Sequence, residues 1–101
     1  MLELVKKSCG IAEAVTVYDE EIKNYIEDCV QDMRASGVPP DLIAREPPGI
    51  VTAVTLYVKA YLGDDRTNTE KYLELYRKKV FRLTLEDQED AGGPQENKDV
   101  E

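Results

Sequence analysis

Carboxylates are the commonest groups in this chain that could do chemistry, and Asp19, Glu20 and Glu21 with Asp28 form the densest early set. A divalent-cation loop needs oxygen ligands at the alternating spacing of a DxDxDG turn, which is absent. The same acids suit the first turn of a helix, where they complement the positive end of its dipole, followed by a solvated face. Gly63-Asp64-Asp65 has no GxxxxGK pattern around it and reads as a turn that ends a helix. Histidine is absent, which removes the usual general base, the common metal ligand and the Ser/His and Cys/His nucleophile systems together. Cys9 and Cys29 lack CxxC spacing, and Lys6 and Lys7 interrupt the apolar start too early for a secretory signal. They are expected to be reduced core thiols of a cytosolic protein. No catalytic residue, cofactor or metal is expected.

Six tyrosines raise the question of base stacking on single-stranded nucleic acid, which needs aromatics beside cations. Tyr57, Tyr61, Tyr72 and Tyr76 instead fall on apolar helical faces, which favours core or inter-helix packing. Phe81 is different. It falls on the polar side of its helix with Lys71, Lys78 and Arg82, so it is either a contact point for a partner or a ring folded onto the N-terminal helix.

The elements that position these groups are organised around Ile50 to Leu62, where only Thr52, Thr55 and Lys59 are not apolar. At about 100° per residue those three share one narrow stripe. A helix so apolar is predicted to be central. Pro47-Pro48-Gly49 starts it, and Gly63 is suited to a left-handed C-terminal cap. The run falls short of the roughly 20 apolar residues of a membrane span, and Lys59 lies inside it.

Before it, Leu2, Val5 and Cys9 mark a short amphipathic helix ended by Gly10. Residues 11–17 read as an extended connector. Asp19 opens a second helix, with Thr16 or Asp19 available as N-cap. Its core face is Ile22, Tyr25, Ile26, Cys29, Val30 and Met33, its polar face includes Glu20, Glu27 and Asp28, and Gly37 closes it. Two proline pairs in 38–48 make a stiff corner, with one helical turn from Pro40 that buries Leu42 and Ile43. Thr67 to Glu70 offers a capping box for a last helix running to about Leu83, with Tyr72, Leu73, Tyr76, Val80 and Leu83 inward.

The net charge of −8 is uneven, because residues 86–101 carry −6 and the body only −2. The predicted organisation is therefore a helical domain over 1–85 and an acidic, disordered tail over 86–101. The fold class expected is all-α, a small bundle of four to five helices around the central apolar one. Neither part has the concentrated basic face of a sequence-reading nucleic-acid binder.

The ordered set Met1-Leu2-Glu3-Leu4-Val5-Lys6-Lys7, Tyr18 to Ile22 opening a helix that closes on Ala35-Ser36-Gly37-Val38, Thr55 to Asp64, and Glu70-Lys71-Tyr72 leading to Leu83-Thr84-Leu85 resembles the head-tail connector (adaptor) proteins of long-tailed phages and prophages. Such proteins are also described as phage DNA-packaging proteins, after genomic position and assembly stage. The likeness covers about residues 1–85. The proline-rich corner, the longer connector after Gly10 and the acidic tail depart from it. It implies a non-enzymatic virion assembly protein, made in the bacterial cytoplasm, whose copies form a ring at the capsid-tail junction. The ring docks on the portal protein after genome packaging and prepares the surface for a stopper or tail-completion protein. A ring contact is heterologous and needs two different matching faces; Lys71, Lys78, Phe81 and Arg82 facing Glu20, Glu27 and Asp28 of the next copy would supply them. The tail is either a solvated end or a segment that folds on the portal or stopper, and acidic groups lining a DNA passage would not stick to phosphate.

Two other classes compete. A small acidic regulatory or inhibitor module that mimics nucleic acid predicts only small species at high concentration. A metal enzyme built on carboxylates predicts a thermal stability that depends on divalent cations.

Overall fold

The computed structural model describes residues 1–62 and 68–91, with side chains described through Leu85. The described residues form five helices and no strand: α1 (Leu2–Ser8), α2 (Asp19–Ser36), α3 (Pro40–Arg45), α4 (Pro48–Tyr61) and α5 (Thr69–Ala91). The proline pairs do more than block helix. In each, the first proline is extended at the N-cap and the second occupies the first turn, of α3 at Pro40 and of α4 at Pro48. A fixed φ suits that position and the missing N–H costs nothing there.

α4 packs against α5, α2 and α1, and Ile50, Ala53, Val54 and Val58 are fully buried. Burying such aliphatic side chains stabilises by about 1.5–3 kcal/mol each, so α4 supplies the spine of the core. Val5 from α1, Ile22, Cys29 and Met33 from α2, Leu42 and Ile43 from α3, and Tyr76, Val80 and Leu83 from α5 complete it. α4 runs antiparallel to α5. Its start meets Leu83, whose Cδ2 would lie 3.3 Å from a Cβ added at Gly49, and its end meets Thr69, whose hydroxyl donates to the Ala60 carbonyl at 2.9 Å. α2 runs in the same direction as α5, because Cys29 and Asp32 meet Tyr76 while Gly37 faces Thr84.

α2 ends in a Schellman turn. Gly37 has φ 105, its N–H bonds to the Arg34 carbonyl at 3.1 Å, and the Val38 N–H bonds to the Met33 carbonyl at 2.9 Å. Val38 and Met33, the two residues this geometry brings together, are both buried.

Several local expectations are corrected. The 11–17 connector is not extended throughout; turns close from Val15 to Ala12 and from Asp19 to Thr16, because Lys6 gathers this segment as described below. Neither Thr16 nor Asp19 caps α2: Tyr18 holds the N-cap position with no side-chain bond. The C-cap of α4 is Leu62 in an extended conformation; the Gly63 expected to end this helix and the Thr67 of the expected capping box lie outside the described residues. Thr55 leaves its expected polar stripe and is buried, whereas Thr52 and Lys59 are exposed. α5 continues past Leu83 to Ala91, so 86–91 extend the helix, and the rest of the acidic segment, 92–101, lies outside the described residues.

Candidate protein-contact surface

α5 turns Tyr76, Val80 and Leu83 to the core and leaves Lys71, Lys78, Phe81 and Arg82 exposed. Phe81 is 64 % exposed. It does not fold onto α1, but borders a shallow groove between α2 and α5 with Asp32, Ser36, Arg77 and Thr84. Leu75 and Leu85 are also exposed on this helix. The outer face of α5 therefore combines cations, one acid at Glu74 and exposed apolar side chains, a composition that suits a protein contact better than a solvated face.

On α2, Glu20, Glu27 and Asp28 are all exposed. They do not form a single stripe: Glu20 and Glu27 lie together, and Asp28 is about 80° round the helix, on a line with Glu21 and Asp32. The cationic and acidic groups are not brought together within the chain. The ion pairs among the described residues are Met1 ammonium to Glu46 at 3.6 Å and Lys6 to Asp19 at 2.9 Å, which leaves every one of the seven expected contact residues outside an intrachain ion pair.

Beside the Asp28 line runs a ladder of tyrosines. Tyr25 stacks on Tyr61 with centroids 5.8 Å apart, Tyr61 meets Tyr57 at 4.9 Å, and Tyr57 meets Tyr76 edge-on at 5.2 Å. The inter-helix role expected for Tyr57, Tyr61 and Tyr76 is thus observed, with Tyr76 buried and Tyr61 at the surface. Tyr25 donates to the Glu21 carboxylate at 3.0 Å and Tyr76 to Asp32 at 2.6 Å. Cys29 donates its thiol hydrogen to the Tyr76 oxygen. Burial, chiefly, pushes the Cys29 thiol up to about 12, against the lowering effect of its bond to Tyr76 and with the Asp32 carboxylate adding to it, and burial, with Tyr61, Asp28, Cys29 and Asp32 adding, pushes the Tyr57 hydroxyl up to about 12. Burial and the bond to Asp32 raise Tyr76 further. These groups stay protonated at neutral pH; Cys29 and Tyr76 act as hydrogen-bond donors that fix α2 against α5, not as nucleophiles.

The composition-based reading missed Lys6. Its side chain is 5 % exposed, and its ammonium donates to the carbonyls of Val15 at 2.7 Å and Glu13 at 3.1 Å and forms an ion pair with the Asp19 carboxylate at 2.9 Å. Two hydrogen bonds and an ion pair compensate the buried charge. The result is a loop tied over α1 that presents Val15, Val17 and Tyr18 to solvent. A signal existed, since Lys6 falls four residues after Leu2 on the apolar side of α1, where a solvated lysine has no place.

Among the described residues no group of three or more acidic or cysteine side chains is arranged to hold a metal ion, and no helix is long and apolar enough to cross a membrane. A protein-family model described as "Phage connector protein" matches residues 1–90. No curated protein and no solved structure matches.

Proposed function

The chain belongs to the phage connector protein family, which carries a structural role in phage assembly, and from that premise we propose that its copies form a ring joining the portal vertex of the capsid to the tail after DNA packaging. The match over residues 1–90 carries this reading, since it takes in α1 to α4 and all but the last residue of α5. The exposed surface agrees with it. A ring subunit needs two different faces that attract each other, and among the described residues neither the cations of α5 nor the acids of α2 named above form intrachain ion pairs. The role is non-catalytic: the ring binds the portal on one side and a stopper or tail-completion protein on the other, acts through neither membrane nor sequence-specific DNA contacts, and resides in the virion.

Analytical ultracentrifugation of the full chain, alone and mixed with the portal protein of the same phage, tests this. The expected result is a discrete assembly several times the mass of one chain, formed alone or on the portal, and reduced in the Lys78→Glu, Arg82→Glu variant. A chain that remains a monomer in both settings would overturn the reading. It would also return attention to the acidic regulatory module.

A further inference from the structure

The spacing of the exposed residues on α5 and α2 goes further than opposite charge. Lys71, Leu75, Lys78, Arg82 and Leu85 follow one another at intervals of four, three, four and three, the spacing of a two-helix seam. All five are exposed, and they lie opposite the core stripe of their helix. Glu21, Tyr25, Asp28, Asp32 and Ala35 repeat the same intervals on α2. Four of these are exposed, and Tyr25 is half-buried, held by its bond to Glu21 and its stack on Tyr61.

We propose that the outward seam of α5 in one copy packs in parallel along this seam of α2 in the next copy, with Leu75 on the Tyr25 ring and each cation opposite an acid. The proposal rests on the reading that copies of the chain associate, and adds to it the surface and the register. In parallel alignment Lys71 meets Glu21, Lys78 meets Asp28, Arg82 meets Asp32 and Leu85 meets Ala35, so every position finds a compatible partner. Antiparallel alignment keeps only Lys78 opposite Asp28 and sets Leu75 against Asp32 and Leu85 against Glu21. Charges placed this way choose register and partner more than they add affinity. Glu21 and Asp32 each accept one tyrosine bond through a single oxygen, which leaves the other oxygen for the incoming cation. Glu20 and Glu27, about a quarter-turn away, flank the contact.

The direction of the helices fits as well. α2 and α5 run the same way within one chain, so a parallel contact between copies repeats with little change in helix direction. It pairs two different faces, which builds a ring about an axis along the helices where the rotation closes.

The test uses the full chain in sedimentation and cross-linking. Lys71→Glu with Lys78→Glu is expected to weaken self-association at least about tenfold, and adding Glu21→Lys with Asp28→Lys to the same chain is expected to restore it. Reversing the flanking acids with Glu20→Lys and Glu27→Lys is expected to weaken association less than Glu21→Lys with Asp28→Lys does. Mixing a Leu75→Cys chain with a Tyr25→Cys chain under mild oxidation is expected to give a disulfide between copies that Leu75→Cys alone does not give. Oligomers that form without this cross-link, and without rescue by the fourfold variant, overturn the register while leaving self-association in place. A parent chain that is monomeric alone and with the portal overturns both.

Discussion

Two side chains show how single residues divide between supporting the fold and straining it. Lys6 is a buried ammonium held by two carbonyls and the Asp19 carboxylate, and removing it leaves all three without their partner. Breaking a fully buried pair costs about 3–5 kcal/mol; Asp19 retains some solvent access, so Lys6→Met is expected to destabilise by about 2–3 kcal/mol in urea denaturation. Amide exchange should rise across 11–18 beforehand, and protection that stays at the parent level would show that the loop does not depend on Lys6. Thr55 is the opposite case. It is 7 % exposed and its hydroxyl has no hydrogen-bond partner. Valine has nearly the same shape without the polar atom, so Thr55→Val is expected to raise stability by about 1 kcal/mol, read as a higher urea midpoint at unchanged slope; a lower midpoint counts against it. Both residues look ordinary by type. A lysine between apolar positions and a threonine on a supposed polar stripe acquire their roles only from what packs over them.

At the level of elements, helix ends were readable where backbone chemistry decides them and not where a tertiary partner does. Gly37 as the terminator of α2 and the prolines of α3 and α4 follow from φ alone. The Schellman turn requires φ 105 at Gly37, which costs a residue with a Cβ about 1–2 kcal/mol. Space is not the obstacle, since a Cβ there would lie 3.7 Å from Thr84. Gly37→Ala is thus expected to lower stability by about 1 kcal/mol, and a loss under a few tenths in thermal unfolding would mean the turn relaxes at no cost. The start of α2 went otherwise. Asp19 had the right chemistry for an N-cap, yet its carboxylate turns to Lys6, because an unpaired buried ammonium is costlier than an uncapped amide at a helix end open to water. The faces of α2 and α5 were legible from periodicity, and so was the exposure of the seven candidate contact residues. The matched seam was not, because it depends on which flank of each stripe the tyrosine ladder and the core leave open.

For the molecule as a whole, the buried thiol and hydroxyl at the meeting of α2, α4 and α5 link stability to pH. Cys29 is fully buried and its pKa is raised from 9.0 to about 12. The folded protein therefore holds the proton where the unfolded chain releases it. This contribution is present in full below about pH 9 and is lost as pH rises from 9 toward 12, at up to about 1.4 kcal/mol per pH unit. Tyr76 is shifted in the same direction from its ordinary value of 10.0, so the fall steepens above pH 10. Urea midpoints measured from pH 8 to 11 are expected to decline throughout that range, and Cys29→Ala is expected to flatten the decline between pH 9 and 10 despite a lower starting stability. An equal slope in the variant would place the titrating group elsewhere.

Composition, periodicity and turn chemistry by themselves determined an all-helical bundle, its central apolar helix and the inward faces of its neighbours, because these follow from residue type, 3.6-residue spacing and backbone limits that act locally; the family came instead from the likeness of whole ordered segments, matched over residues 1–90. Tertiary structure alone decided that Lys6 ties down the loop before α2, that Thr55 is interior and that four tyrosines link α2, α4 and α5 into one ladder. These depend on contacts between segments far apart in the chain, such as Cys29 with Tyr76 and Gly49 with Leu83. A local pattern carries no record of which distant partner will close over it.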